Sequence, residues 1–322
     1  MNSIKKMMLS GALGCLISGM AYADGSSPQP VKPYWQDIQV VAVNKEKPRS
    51  SFMSYADRET ALTSRFEKSP YYSLLNGTWK FFFVDSYKDL PQNITDPSVN
   101  TSSWDDITVP GNWEVQGHGV AIYTNHGYEF KPRNPQPPLL PEANPVGVYR
   151  RDIEIPASWD NRDIYLHIGG AKSGLYVYLN GKEVGYSEDS KNPAEFLINK
   201  YLQPGKNVLT LKIFRWSTGS YLECQDFWRM SGIERDVFLW SQPKASIQDF
   251  RVVSTLDDTY TNGIFKLAVD LKNHTQETKN LNVGYELLDA KGNLVTSEAN
   301  DIWVSPASPQ TASFEYDLKN VA

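Results

Sequence analysis

The chain has 322 residues and a net charge of −5, with no Lys/Arg run or basic stripe, which sets aside nucleic acid and anionic membrane as partners. Aromatic residues make up 12%, including Trp 9 and Tyr 18, more than a minimal core needs and suited to a surface that handles carbohydrate. Residues 1–23 read as a secretory signal. Lys5 and Lys6 open it, Met7 to Met20 is apolar but too short and too rich in Gly and Ser to span a membrane, and Ala21-Tyr22-Ala23 offers a cleavage site. A soluble product exported to the periplasm or the medium is expected. Lipid anchoring through Cys15 ranks below this, because Leu13 is bulky where a lipoprotein signal wants a small residue. Cleavage leaves Cys224 as the remaining cysteine, so no internal disulfide forms and the fold rests on core burial.

Residues 24–64 form a leader rich in Pro, Lys and Ser. It ends in Ser54-Tyr55-Ala56-Asp57, a capping-box pattern that predicts a short helix near Arg58–Phe66. From 65 to 242 short strands follow one another without helices: Trp79–Val84, Tyr149–Ile155, Ile164–Ile168, Leu175–Leu179, Glu183–Tyr186, Val208–Arg215 and Val237–Trp240. Asn180-Gly181 between two of them is a two-residue hairpin signal, since both turn positions need positive φ. The pattern predicts an all-β jelly-roll sandwich. Ser241-Gln242-Pro243-Lys244 marks a boundary. Over 243–322 five more strands (Ile247–Ser254, Ile264–Lys272, Asn282–Leu288, Leu294–Ser297, Ala312–Tyr316) point to an immunoglobulin-like sandwich short of the usual seven strands. The chain therefore reads as a fragment.

The most informative segment is residues 215–237, a connection of roughly twenty residues between two strands, long for a compact domain. Trp216, Tyr221, Phe227 and Trp228 give it enough apolar surface to be ordered. Rings beside Glu223, Asp226, Arg229 and Arg235 suit a sugar, whose C–H face lies on rings while carboxylates accept its hydroxyls. The plain alternative is a structural corner, with Trp228 plugging the core and Asp226 paired to Arg229 or Arg235.

Arg215 to Ile233 resembles the motif Arg-Trp-Ser-x-Gly-Ser-Tyr-Leu-Glu-x-Gln-Asp-x-Trp-Arg-x-Ser-Gly-Ile of the glycoside hydrolase family 2 β-galactosidases. Three more blocks agree in family order: Pro110-Gly111-Asn112-Trp113 with Ile122-Tyr123-Thr124-Asn125; Asn144 to Arg151; and Asn180-Gly181 through Ser190, Pro193, Glu195 and Phe196. The likeness runs from about Pro33 to the end of the chain. It implies a galactose-binding-like jelly roll followed by an incomplete immunoglobulin-like sandwich. The intact protein would be a retaining β-galactosidase hydrolysing terminal non-reducing β-D-galactose, compatible with a homo-oligomer. Retaining enzymes use two carboxyls roughly 5 Å apart, and the family carries both as glutamates of a TIM barrel that follows these domains. No barrel pattern is present here, so this chain holds no catalytic residue of its own and is expected to be inactive alone. Glu142, Glu188 and Glu195 are read as local hydrogen-bonding groups.

By the same resemblance Asp226 contacts galactosyl hydroxyls and supplies part of a sodium site, with the remaining ligands on the absent barrel. Asn134, in the proline-rich run Lys131 to Pro138, is the other expected substrate contact, although its spacing departs from the commoner Asn-Pro-Pro form. An asparagine turn is the alternative there. Magnesium is expected in the intact enzyme, with no ligand in this chain. Thr218 and Cys224 stand where relatives often carry Asp. His118, His126, His167 and His274 have no metal-ligand spacing. A free-standing carbohydrate-binding module, or a β-glucuronidase or β-mannosidase, is the competing reading; the Ser-Tyr-Leu-Glu-x-Gln-Asp block favours the galactosidases.

Overall fold

Nine longer strands build the first sandwich: β1 (Gly77–Val84), β2 (Asp105–Val109), β3 (Val146–Glu154), β4 (Arg162–Ile168), β5 (Gly174–Leu179), β6 (Lys182–Ser187), β7 (Ala194–Leu197), β8 (Lys206–Phe214) and β9 (Val237–Pro243). The computed structural model describes residues 32–130 and 134–321. The signal segment 1–23, the first part of the leader and Lys131-Pro132-Arg133 lie outside the described residues.

One antiparallel sheet runs Ala42–Val43, β6, β5, β8, β3, β1, β2; the other runs β7, β4, β9, Tyr72–Leu74. Phe81, Tyr149 and Leu211 of the first sheet and Leu166, Ile168 and Leu239 of the second share one buried core. The predicted hairpin forms, with Asn180 and Gly181 at φ 53° and 78° between β5 and β6. The leader explains why alternation along these strands is imperfect. It covers the outer faces of both sheets: Trp35 stacks on Phe214 with centroids 5.0 Å apart, and Met53 is buried with Tyr165, Phe238 and Trp240. Residues 146–150 of β3 are buried on both faces, the outer one covered by Trp35 together with residues 94–104, to whose carbonyls Arg150 donates.

The leader's helix is shorter than expected. It spans Arg58–Leu62, and its N-cap is Asp57, whose carboxylate accepts from Thr60 N at 2.8 Å; Ser54 instead gives its carbonyl to Ser69. Upstream, Arg49 straps down on β7 through two bonds to Glu195, of 2.9 and 2.8 Å, while Ser50 N donates to Asp249.

Beyond Pro243 the sheets change completely. Strands β10 (Ala245–Leu256), β11 (Gly263–Asn273) and β14 (Gln310–Leu318) form one sheet, and β12 (Lys279–Leu288) with β13 (Leu294–Val304) another. Their facing sides meet through Phe265, Leu267, Val269, Leu271, Val283 and Phe314. Alternation in β11 is regular from Gly263 to Leu271, whereas Lys272 and Asn273 at its end are both buried, Lys272 against Tyr165 and Asp163. β13 runs seven residues past its expected end at Ser297, its Glu298-Ala299-Asn300-Asp301 run being exposed to solvent. The fold is thus the expected all-β pair of antiparallel sandwiches, five strands in the second, and from Pro33 the chain is one compact unit. Among the described residues no helix is long and apolar enough to cross a membrane.

Candidate functional site

The connection between β8 and β9 is ordered by the very blocks that lie far from it in sequence. At its start, Asn144 clasps Trp216 with both ends of its amide: Nδ2 donates to the carbonyl at 2.8 Å, and Oδ1 accepts from the backbone N–H at 3.0 Å. Ser220 Oγ reaches back to accept from Ser217 N at 3.1 Å, closing the turn Thr218–Tyr221. Glu188, buried, accepts from Tyr186 OH, Thr218 Oγ1 and Gly219 N, each at 2.7 Å. Burial raises its pKa, and these donors oppose that rise. An aspartate at 218 would set a second carboxylate against Glu188, whereas threonine donates to it. Ser190 N and Oγ donate to Glu223, so this acid is spent on holding the loop.

Further on, Phe227–Arg229 pairs with Ile122–Thr124, and Gly232–Ile233 lies between Gly111–Asn112 and Ala171–Lys172. Gly232 has φ 113°, and a Cβ there would meet Gly111 O at 2.8 Å, so glycine is required. Arg229 is fully buried and donates to the carbonyls of Glu223, Thr124 and Cys224, with Glu129 3.8 Å from its Nε. Arg235 reaches Lys191 O at 2.5 Å. Both arginines are committed elsewhere, and neither forms an ion pair with Asp226 among the described residues.

Asp226 therefore sits at the surface. Its Oδ1 accepts from Tyr123 OH at 3.0 Å. That bond and the adjacent negative charge raise the Tyr123 pKa, keeping the phenol a donor. The rings of Tyr123 and Trp228 lie 5.5 Å apart and are 56% and 54% exposed. Trp228 is thus not a core plug, contrary to the structural-corner reading: its place on the short outer ribbon turns it to solvent. The result is two open rings with a carboxylate at their edge, a surface that can cover a sugar's apolar face and accept its hydroxyls.

Asn134 is exposed at φ 51°, the left-handed conformation asparagine tolerates, so the turn geometry is present. Its loop is tied to the same connection, because Tyr221 OH donates to Leu139 O at 2.5 Å and Trp216 Nε1 donates to Glu129 at 3.0 Å. Asn134 itself makes no hydrogen bond to Asp226. Cys224 is half-buried, its Sγ 3.7 Å from Tyr221 O. Glu142 pairs with Lys88 at the surface, and Glu195 accepts from Arg49, His167 and Trp240 Nε1. Cavities of about 330 and 270 Å³ flank the Glu46–Arg49 strap and share no lining residue with the 215–233 connection. Tyr123 and Glu129 carry weight that sequence reading did not give them. The period-two run Ile122-Tyr123-Thr124 was a signal for the former, while nothing in sequence marked Glu129 as buried.

As a cation ligand Asp226 offers hard carboxylate oxygens, one of them without a protein partner among the described residues. Among those residues no group of three or more His, Cys, Asp or Glu could hold a metal ion. The donor chemistry fits a contribution to a shared sodium site and does not furnish one alone.

A β-sandwich that presents two rings and a carboxylate at its surface has what a carbohydrate-handling domain needs. Residues 72–243 match the model of the glycosyl hydrolases family 2 sugar binding domain. The chain belongs to that family. It is 37% identical over 294 residues to a β-galactosidase of Priestia megaterium, covering 90% of this chain and 28% of that one. It is 38% identical over 267 residues to a β-galactosidase of Halalkalibacterium halodurans, covering 81% and 26%. A Bacteroides uniformis β-glucuronidase structure superposes with TM-score 0.63 at 20% identity, over 77% of this chain and 28% of that one, a likeness of fold. The chain thus spans little more than a quarter of the length of these relatives.

Proposed function

We propose that this chain is the N-terminal part of an exported, retaining β-galactosidase, and that residues 65–242 and 243–322 act as its sugar-binding and immunoglobulin-like domains. Asp226 accepts hydrogen bonds from galactosyl hydroxyls and lends one oxygen to a sodium ion, and Asn134 supplies a second polar contact through its amide. The exposed rings of Tyr123 and Trp228 flank the galactose ring. The paired catalytic carboxyls, the magnesium ligands and the rest of the pocket come from a barrel further along the protein, which a homo-oligomer would accommodate. One observation carries this reading: the family's Gln225-Asp226-Phe227-Trp228 run is held outward by buried neighbours, with its acid paired to no cation among the described residues. The relatives of 37% and 38% identity are β-galactosidases, which sets galactose ahead of glucuronic acid or mannose.

The test is turnover by the full-length protein of nitrophenyl β-D-galactoside, β-D-glucuronide and β-D-mannoside. The galactoside is expected to give the highest kcat/KM by at least about 100-fold, since a site built to hydrogen-bond one set of hydroxyls rejects another strongly. Preference for either of the other two would refute the galactosidase reading.

A further inference from the structure

Lys172 is an unusual feature beneath this surface. It is only 3% exposed, yet its Nζ makes no hydrogen bond among the described residues. A buried ammonium without hydrogen bonds is costly and persists only where its charge is otherwise compensated. Two neighbours compensate it. The Phe227 ring centroid lies 4.9 Å from Nζ, within cation–π range, and the buried carboxylate of Glu129 attracts it. Phe227 adjoins Asp226. Glu129 holds Trp216 and stands five residues before Asn134. The two segments carrying the expected sugar contacts therefore share one buried charge.

We propose that Lys172 is a positioning residue, whose buried ammonium fixes the Asp226 segment, through Phe227, relative to the Asn134 segment, through Glu129. This rests on the sugar-binding reading above and adds a residue outside its contact surface. Lys191 and Arg229 also approach the Phe227 ring, at 5.4 and 4.9 Å, and Glu223 completes the charged surroundings. Burial lowers the Lys172 pKa, and the Glu129 carboxylate opposes that fall.

The experiment compares Lys172→Met with wild type in the full-length protein, by hydrogen exchange of segments 122–130 and 222–229, by Tm, and by galactoside kinetics. Methionine keeps the stem and removes the charge. The expected result is faster exchange in both segments together, an unchanged or raised Tm, unaltered exchange in β8, and a KM for nitrophenyl β-D-galactoside raised roughly tenfold with a smaller change in kcat. Unchanged exchange in either segment overturns the proposal. If Lys172→Met lowers Tm and loosens β8 as well, a double-mutant cycle with Glu129→Gln decides, since Glu129→Gln alone also breaks the Arg229 pair. An effect of Glu129→Gln on exchange in 222–229 that shrinks in the Lys172→Met background supports the coupling, and additive effects overturn it. Exchange needs no substrate. A wild-type protein inactive on galactosides would therefore sink the functional reading, while the exchange rates would still decide whether Lys172 couples the two segments.

Discussion

Trp228 and Arg229 are adjacent in sequence and opposite in role. The indole is open to solvent beside Tyr123, while the guanidinium is buried against three backbone carbonyls and Glu129. Trp228→Ala is expected to change the unfolding free energy by no more than an ordinary surface substitution does, about 0.5 kcal/mol, and to raise KM for a galactoside several-fold. Arg229→Ala takes the nearest cation from Glu129 and leaves three buried carbonyls without their donor, and should cost about 3–5 kcal/mol, read as a large fall in Tm. Chemical denaturation and steady-state kinetics on the two variants check this contrast; similar stability losses in both would show that Trp228 is structural after all. Sequence alone could not separate such neighbours. Period-two reasoning tells which residues of a strand share a face, and it fails in a loop whose short ribbons turn rings outward.

At the scale of elements, the leader and the first sandwich are joined by a charged knot. Arg49 and His167 both bond Glu195, and Trp240 Nε1 donates to the same carboxylate. Burial by itself would raise the Glu195 pKa, but the bonds from His167 and Arg49 outweigh it and hold the group below the ordinary value. A carboxyl whose folded pKa is depressed adds stability above its unfolded pKa, near 4.3, and loses it as pH falls through the folded value. Glu195→Gln should therefore lower Tm at neutral pH and flatten the decline of Tm below about pH 4.5. An unchanged acid limb in thermal melts from pH 3 to 7 would exclude this knot as its source. Most long strands were legible, because alternation and the Asn180-Gly181 turn are local signals. The short strands Asp105–Val109 and Ala194–Leu197 were not, since each is recognisable only by its partner strand. The leader's part in the core was also hidden. Trp35 and Met53 reveal nothing of their burial until the sheets they cover are assembled.

For the whole molecule, motif blocks distant in sequence converge on one connection: Asn144 grips its start, Glu188 and Ser190 its middle, Gly111 and Ile122 its end. Few of these groups face outward. Their common effect is to hold Asp226 and two rings at an exposed edge. The residues expected to touch the sugar could be named from the motif. The buried scaffold of Glu129, Lys172 and Glu188 could not, because its roles depend on contacts between segments far apart in the chain. The most direct test is Asp226→Ala in the full-length protein, with kcat/KM for nitrophenyl β-D-galactoside measured beside Tm. Loss of a charge-assisted contact in a closed pocket should lower kcat/KM on the order of 30- to 1,000-fold, about 2–4 kcal/mol, with Tm unchanged. Wild-type kcat/KM in a variant that folds normally would contradict the account.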